Sequence, residues 1–362
     1  MSYDLRVWSV REPAMPAALP EADRWVANGD GWSAGSGSWQ VTASAASRVL
    51  AEDLPAAIET ALPGIAHLVE IAVEPIGAPE AARRLALRAA KELAKSAHGL
   101  VEDRQTDEIT LPSGVKRFVA PAKQAKIDVV ALSWWCEGDR LGSPEGIEAF
   151  LGALERTLPE AMPKRYGSFE PPKYVYAEEG RAHLAQFLRD ETSLAAWYPH
   201  RPVRSLTYAP ARSPKPDPRG FKAGYVRILI EAGALEQPGW RTAIARAWRA
   251  ISTAVRPFYG DARILRGYVS GRATLGHDRE TEEHPVVAGW WSGIPARGAF
   301  AAVVGQPYLA KWPRLAEKID RGSNLAFLEL DAWSPGSDVF ASVGGVPSAI
   351  GQRAVATGFK LP

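Results

Sequence analysis

The chain has 362 residues, 46% of them hydrophobic and 23% charged, which is the balance of a folded protein with room for two or three domains. One cysteine, Cys136, rules out an internal disulfide and a cysteine-rich zinc site. No apolar run approaches the roughly 20 residues that span a bilayer, and Asp4, Arg6, Arg11 and Glu12 interrupt the N-terminus where a signal peptide would be apolar, so a soluble, cytoplasmic protein without a membrane partner is expected.

The net charge of +2 conceals an asymmetry: residues 1–115 hold 10 Lys+Arg and 16 Asp+Glu, and the remainder holds 33 and 25. A basic C-terminal part beside an acidic N-terminal one suits a charged partner or mutual docking, although solvated surface produces the same counts. In chain order, "YDLRVWSV" and "HLVEIAVEP" read as strands. Residues 79–98 read as a helix opened by Pro79 and stopped by Gly99, and "LVEDRQTDEITLP" reads as a strand pair. The charged, turn-rich stretch 112–126 reads as a linker. An N-terminal α+β domain over 1–115 follows.

Beyond it, "IDVVALSWWC" reads as a buried strand, followed by Ser143 as N-cap, Pro144 at the first helical position and an apolar stripe at Ile147, Phe150, Leu151, Leu154 and Leu158. "YVRILIEA", Pro238 and the stripe Trp240, Ile244, Trp248, Ile251 and Val255 repeat the pattern. Each helix is followed by Tyr-Gly, at Tyr166-Gly167 and Tyr259-Gly260, where glycine would supply a positive-φ turn and tyrosine a hydroxyl to water. The second copy continues through "AFAAVVG", a helix over about 307–320 and "NLAFLELD", giving the β-α-β-β-α-β order of a ferredoxin-like fold. The expected fold is therefore α+β, with two related ferredoxin-like modules at 116–210 and 220–362 separated by the proline-rich run 209–220.

Four stretches carry candidate chemistry. "GWSAG" matches the G-x-S-x-G pattern of a hydrolase nucleophile at Ser33, but loop-forming residues flank it where a strand and a helix are required. "HDRETEEH" gathers His277 and His284 with four carboxylates, at a separation that fits no common zinc motif and that a solvated hairpin tip explains as well. "RGAFAAVV" begins like an RNA-binding octamer but offers only Phe300 for stacking, which fits a buried strand. Trp290, Trp291, Tyr308 and Trp312, with Arg297, form the fourth group, and these residue types dominate binding hot spots and also serve as core anchors. No phosphate loop, H-E-x-x-H or dinucleotide fingerprint is present, so no catalytic residue, metal or cofactor is assigned.

With "RYGSFEPP", "WYPHRP", "FYGDARILRGYV", "WWSGIP" and "GQPYLAKWP", the C-terminal two-thirds resembles bacterial immunity proteins that protect against toxins delivered between bacteria, including those of type VI secretion systems. The resemblance implies a non-enzymatic protein that binds a cognate toxin and occludes its active site. Contacts are expected from Trp290, Trp291, Arg297, Tyr308 and Trp312. The alternatives are a hydrolase, or a nucleic-acid binder using the basic C-terminal part.

Overall fold

The computed structural model describes residues 3–29, 31–50, 54–75, 77–106, 108–118, 125–168, 172–191, 194–210, 223–270, 275–276, 286–287, 290–291, 294, 298–306, 308–331, 333, 337–348 and 350. It divides into two compact units, Met1–Gln124 and Ala125–Pro362.

The first unit contains β1 (Tyr3–Ser9), β2 (Val26–Asn28), β3 (Gly31–Ser36), β4 (Trp39–Ser44), β5 (Ser47–Arg48), α1 (Ala56–Ala61), β6 (His67–Glu74), α2 (Glu80–Ser96), β7 (Gly99–Asp103), β8 (Glu108–Thr110) and β9 (Lys116–Phe118). Its sheet runs β2-β3-β4-β6-β1-β7-β8-β9 with β5 also on β6, all neighbours antiparallel. Residues 116–118, read from sequence as linker, are its edge strand. Seven residues of α2 from Ala82 to Ala94 are buried at helical spacing, five of them alanine, so the helix lies close against Leu5, Val7, Val41, Val69 and Ile71. Its other face is exposed.

The second unit begins with β10 (Ala125–Glu137), α3 (Gly138–Gly142), α4 (Pro144–Thr157), β11 (Arg165–Gly167), β12 (Tyr174–Val175), α5 (Tyr176–Asp190), β13 (Ala195–Tyr198) and β14 (Val203–Ala209). It continues with β15 (Ala223–Glu231), α6 (Pro238–Val255), β16 (Tyr259–Ser270), β17 (Leu275–Gly276), β18 (Val286–Val287), β19 (Trp290–Trp291), β20 (Ala301–Val304), β21 (Ile319–Asp320) and β22 (Leu325–Glu329). The α+β class expected from the sequence holds. The Ser143 hydroxyl caps α4 by accepting from the Gly146 amide at 3.0 Å, and Pro144 and Pro238 occupy first-turn positions.

The strand order departs from that of two self-contained ferredoxin-like modules. All the principal strands share one sheet, β12-β11-β13-β14-β15-β10-β16-β20-β22-β21. The unit β15-α6-β16 is split as in a ferredoxin-like βαβ, but the strand dividing it is β10, from the first copy. The crossover through α4 instead passes β15, β14 and β13 before reaching β11, and β22 pairs with β20 instead of returning to β15. The two strand-helix halves therefore correspond, while their return strands occupy different places.

Both Tyr-Gly pairs lie inside strands, which corrects the expected helix-exit turn. The left-handed residue that ends α6 is Arg256, at φ 48°. Gly260 is needed for close approach: a Cβ there would lie 2.8 Å from Val303 Cγ1 and 2.9 Å from the Ser133 carbonyl oxygen. Both tyrosine rings are fully buried, and their hydroxyls meet His183 and Asp261 where water was expected.

Alternation along β10 decides what lies on each face. Val130, Leu132, Trp134 and Cys136 point into the core under α4, α5 and α6, where Trp134 stacks on Trp248 at 5.1 Å. Val129, Ala131, Ser133 and Trp135 point the other way. Trp135 joins a second core with Tyr259, Tyr308, Trp312 and Phe340, and Val129 and Ala131 join a third with Leu229, Leu265 and Tyr268.

Candidate functional site

Of the five residues expected to contact a partner, Tyr308 and Trp312 are core. Tyr308 is fully enclosed beside Phe258, and Trp312 stacks on Phe340 at 5.8 Å. The helix read over 307–320 is instead two short 3₁₀ segments, Leu309–Lys311 and Pro313–Lys318, that fold these rings inward. This corrects their assignment as contacts, because a side chain with no accessible surface cannot be an anchor. Trp290 and Trp291 form β19, paired with β18 in a two-stranded ribbon. Their side chains, with Arg297, His277 and His284, lie outside the described residues.

The remaining sequence candidates do not assemble. Ser33 sits within β3 opposite Val26 of β2 and Thr42 of β4, a hairpin interior and not the strained strand-to-helix turn that a nucleophile elbow requires. Phe300 is buried and stacks on Trp333 at 4.3 Å, so it offers no face to a base. Among the described residues no group of three or more His, Cys, Asp or Glu is placed to hold a metal ion.

The structure reveals a polar row that the sequence reading passed over. Between the two cores on the face opposite the helices lie Arg227, Ser133 and Asp261, which the register aligns across β15, β10 and β16. Asp261 is 2% exposed, accepts from the Tyr259 hydroxyl at 3.0 Å and pairs with Arg263 Nη2 at 2.9 Å; Arg263 is 9% exposed. The Arg227 Nε donates to the Ser133 hydroxyl at 3.3 Å. Burial, reinforced by the Asp261 carboxylate, pushes the Tyr259 hydroxyl well above its ordinary range, while Asp261 holds Arg263 charged against the desolvation that opposes it. Asp261 and Arg263 stand two residues apart in "YGDARIL", so strand alternation puts both on the Tyr259 face, and that was the available signal. A second buried hydroxyl, that of Tyr166, is 2.6 Å from His183 Nδ1 among the rings of Tyr174 and Phe187, and burial raises its pKa. The Tyr259–Asp261–Arg263 network is enclosed, which suits support of the sheet, whereas His183 beside Tyr166 is partly exposed.

An accessible feature lies where the start of β10 meets the segment between β15 and α6. An open groove of about 670 Å³ has Ile127, Leu235, Ile264 and Trp333 as its apolar lining, with Lys126, Asp128, Glu236 and Arg241 around it. Trp333 is half-buried and braced from behind by Phe300, and Arg241 donates to the Leu235 carbonyl at 3.1 Å. Glu231, at one end, is engaged by Arg201 and Arg204. No serine, cysteine or histidine is among the described residues lining the groove. The lining thus mixes large apolar side chains with groups of both charges, and a braced aromatic of this kind loses little entropy on being covered.

No family model matches the sequence, and the search of curated proteins finds no match. Among solved structures, a Pseudomonas aeruginosa T6SS protein is a weak neighbour: TM-score 0.44 and 10% identity, covering 65% of this chain and 79% of the other. No helix among the described residues is long and apolar enough to cross a membrane.

Proposed function

We propose that the protein is a non-enzymatic binding protein that neutralises a toxin by occluding its active site, with the groove at Trp333 and the ribbon carrying Trp290 and Trp291 as contact surfaces and Arg297 as a further contact residue. The observation that supports this most is the groove itself, which joins a braced tryptophan, Ile127, Leu235 and Ile264 to side chains of both charges. The sequence-level hydrolase candidate at Ser33 lacks the backbone geometry its chemistry needs.

The test is co-purification with the product of the neighbouring reading frame, followed by titration of its toxic activity. Trp333→Ala should weaken the complex by about 2 kcal/mol or more, roughly thirty-fold in affinity, and restore toxicity at matched concentrations. A neighbour that forms no complex, or a complex in which Trp333→Ala, Trp290→Ala and Trp291→Ala all bind as the parent does, overturns the proposal.

A further inference from the structure

Helix α2 carries charge of the opposite sign to the rest of its unit. Residues 1–124 contain 13 Lys+Arg and 16 Asp+Glu; the 17 residues of α2 hold five of those basic residues and two of the acidic ones. Arg84, Arg88, Lys91 and Lys95 follow the helical repeat, so they form one row roughly 16 Å long on the exposed face. Arg83 is turned aside over the Tyr3 ring at 5.7 Å, and Arg88 also meets Glu21 at 3.2 Å. Glu80 precedes the row by one turn, where a carboxylate suits the positive end of the helix, and Glu92 flanks it.

The row is more than solvated lysine and arginine. Between Arg84, Arg88 and Lys91 the surface dips to an apolar floor made by Ala81 and the half-buried Leu87. Aliphatic stems bordering that floor add apolar surface beneath the charged heads. Such a strip matches a partner helix that carries carboxylates on the same repeat and one apolar side chain to seat over Leu87. A nucleic-acid backbone or an anionic bilayer surface would use the cations but leave the apolar floor of Ala81 and Leu87 unfilled.

We propose that the exposed face of α2 is a docking surface for an acidic amphipathic helical segment of a partner protein. It lies on the N-terminal unit, does not rest on the toxin reading, and would stand or fall separately from it.

The experiment uses the full chain and a fluorescently labelled synthetic peptide of about 18 residues, with Glu on the helical repeat and Leu on the adjoining face; about 18 residues is long enough for a helix to form on docking. Anisotropy should report saturable binding that weakens about tenfold or more between 50 and 300 mM salt, as expected for exposed charges. Arg84→Glu/Lys91→Glu should weaken it by at least about tenfold, and Arg84→Gln/Lys91→Gln by less, because neutralisation removes attraction without adding repulsion. Both variants alter exposed side chains and should keep the parent circular dichroism and melting temperature. A scrambled peptide of the same composition should bind at least about tenfold more weakly, since its charges and leucines no longer share faces. The proposal is overturned if neither peptide binds, or if the scrambled peptide binds equally well. It is also overturned if a 20-base-pair DNA duplex or vesicles containing phosphatidylserine bind more tightly than the peptide with the same loss in the variants.

Discussion

Asp261→Asn removes the one negative charge in the Tyr259–Asp261–Arg263 network while keeping its shape. The carboxylate is 2.9 Å from Arg263 Nη2 and accepts from the Tyr259 hydroxyl at 3.0 Å, and both charged residues are more than nine-tenths buried. Breaking such a pair from one side leaves a desolvated guanidinium beside a neutral amide, a change that costs about 3–5 kcal/mol in buried ion pairs. Replacing both partners, as Asp261→Asn/Arg263→Met, removes the stranded charge as well and should recover most of that loss. Hydrogen exchange by mass spectrometry on peptides covering β10 and β16 reads this unit by itself. The most protected amides should exchange about a hundred-fold faster or more in Asp261→Asn, since 1.4 kcal/mol corresponds to tenfold. If Asp261→Asn accelerates exchange less than about fivefold, or if the double variant is no slower than the single, the pair is not what stabilises this face of the sheet.

Other expectations follow from the same geometry. Ser252→Ala removes the hydroxyl that accepts from the buried Trp134 indole N–H at 2.8 Å and should destabilise the second unit by about 1–3 kcal/mol in urea unfolding. The exposed Thr253→Ala next to it should stay within about 0.5 kcal/mol. Burial raises the Cys136 thiol well above its ordinary range, so native protein should resist a thiol reagent at neutral pH, and modification as fast as in urea would contradict that. Tyr166 and Tyr259 are likewise raised by burial, so their neutral forms are favoured by folding. Their contribution is therefore intact below the ordinary tyrosine pKa of about 10 and declines as pH rises through and beyond it. Absorbance titration should show these two ionising only as the fold is lost, and early, reversible ionisation of all ten tyrosines would refute this.

Local pattern was enough for the elements whose partners hardly matter. The alanine and leucine repeat from Ala82 to Ala94, Ser143-Pro144 and Pro238 at helix starts, and the alternation through "IDVVALSWWC" each state a periodicity or a cap that any packing must respect. Asp261 and Arg263 could have been placed on the Tyr259 face by the same alternation, since two charges spaced by two in an apolar strand declare a shared side. What no local pattern contains is which strands become neighbours. Pairing is selected by burial across the whole sheet, and β10 lies between β15 and β16 where its apolar face shares one core with α4 and α6. The groove shows the same dependence: Trp333 and Ile127 are 206 positions apart in sequence and line it together because distant segments meet there. Tyr308 and Trp312 look in sequence like surface aromatics of a binding loop. They are core because two short 3₁₀ turns carry them under a sheet whose far face needed covering, and the free energy of that burial is settled only when both surfaces exist.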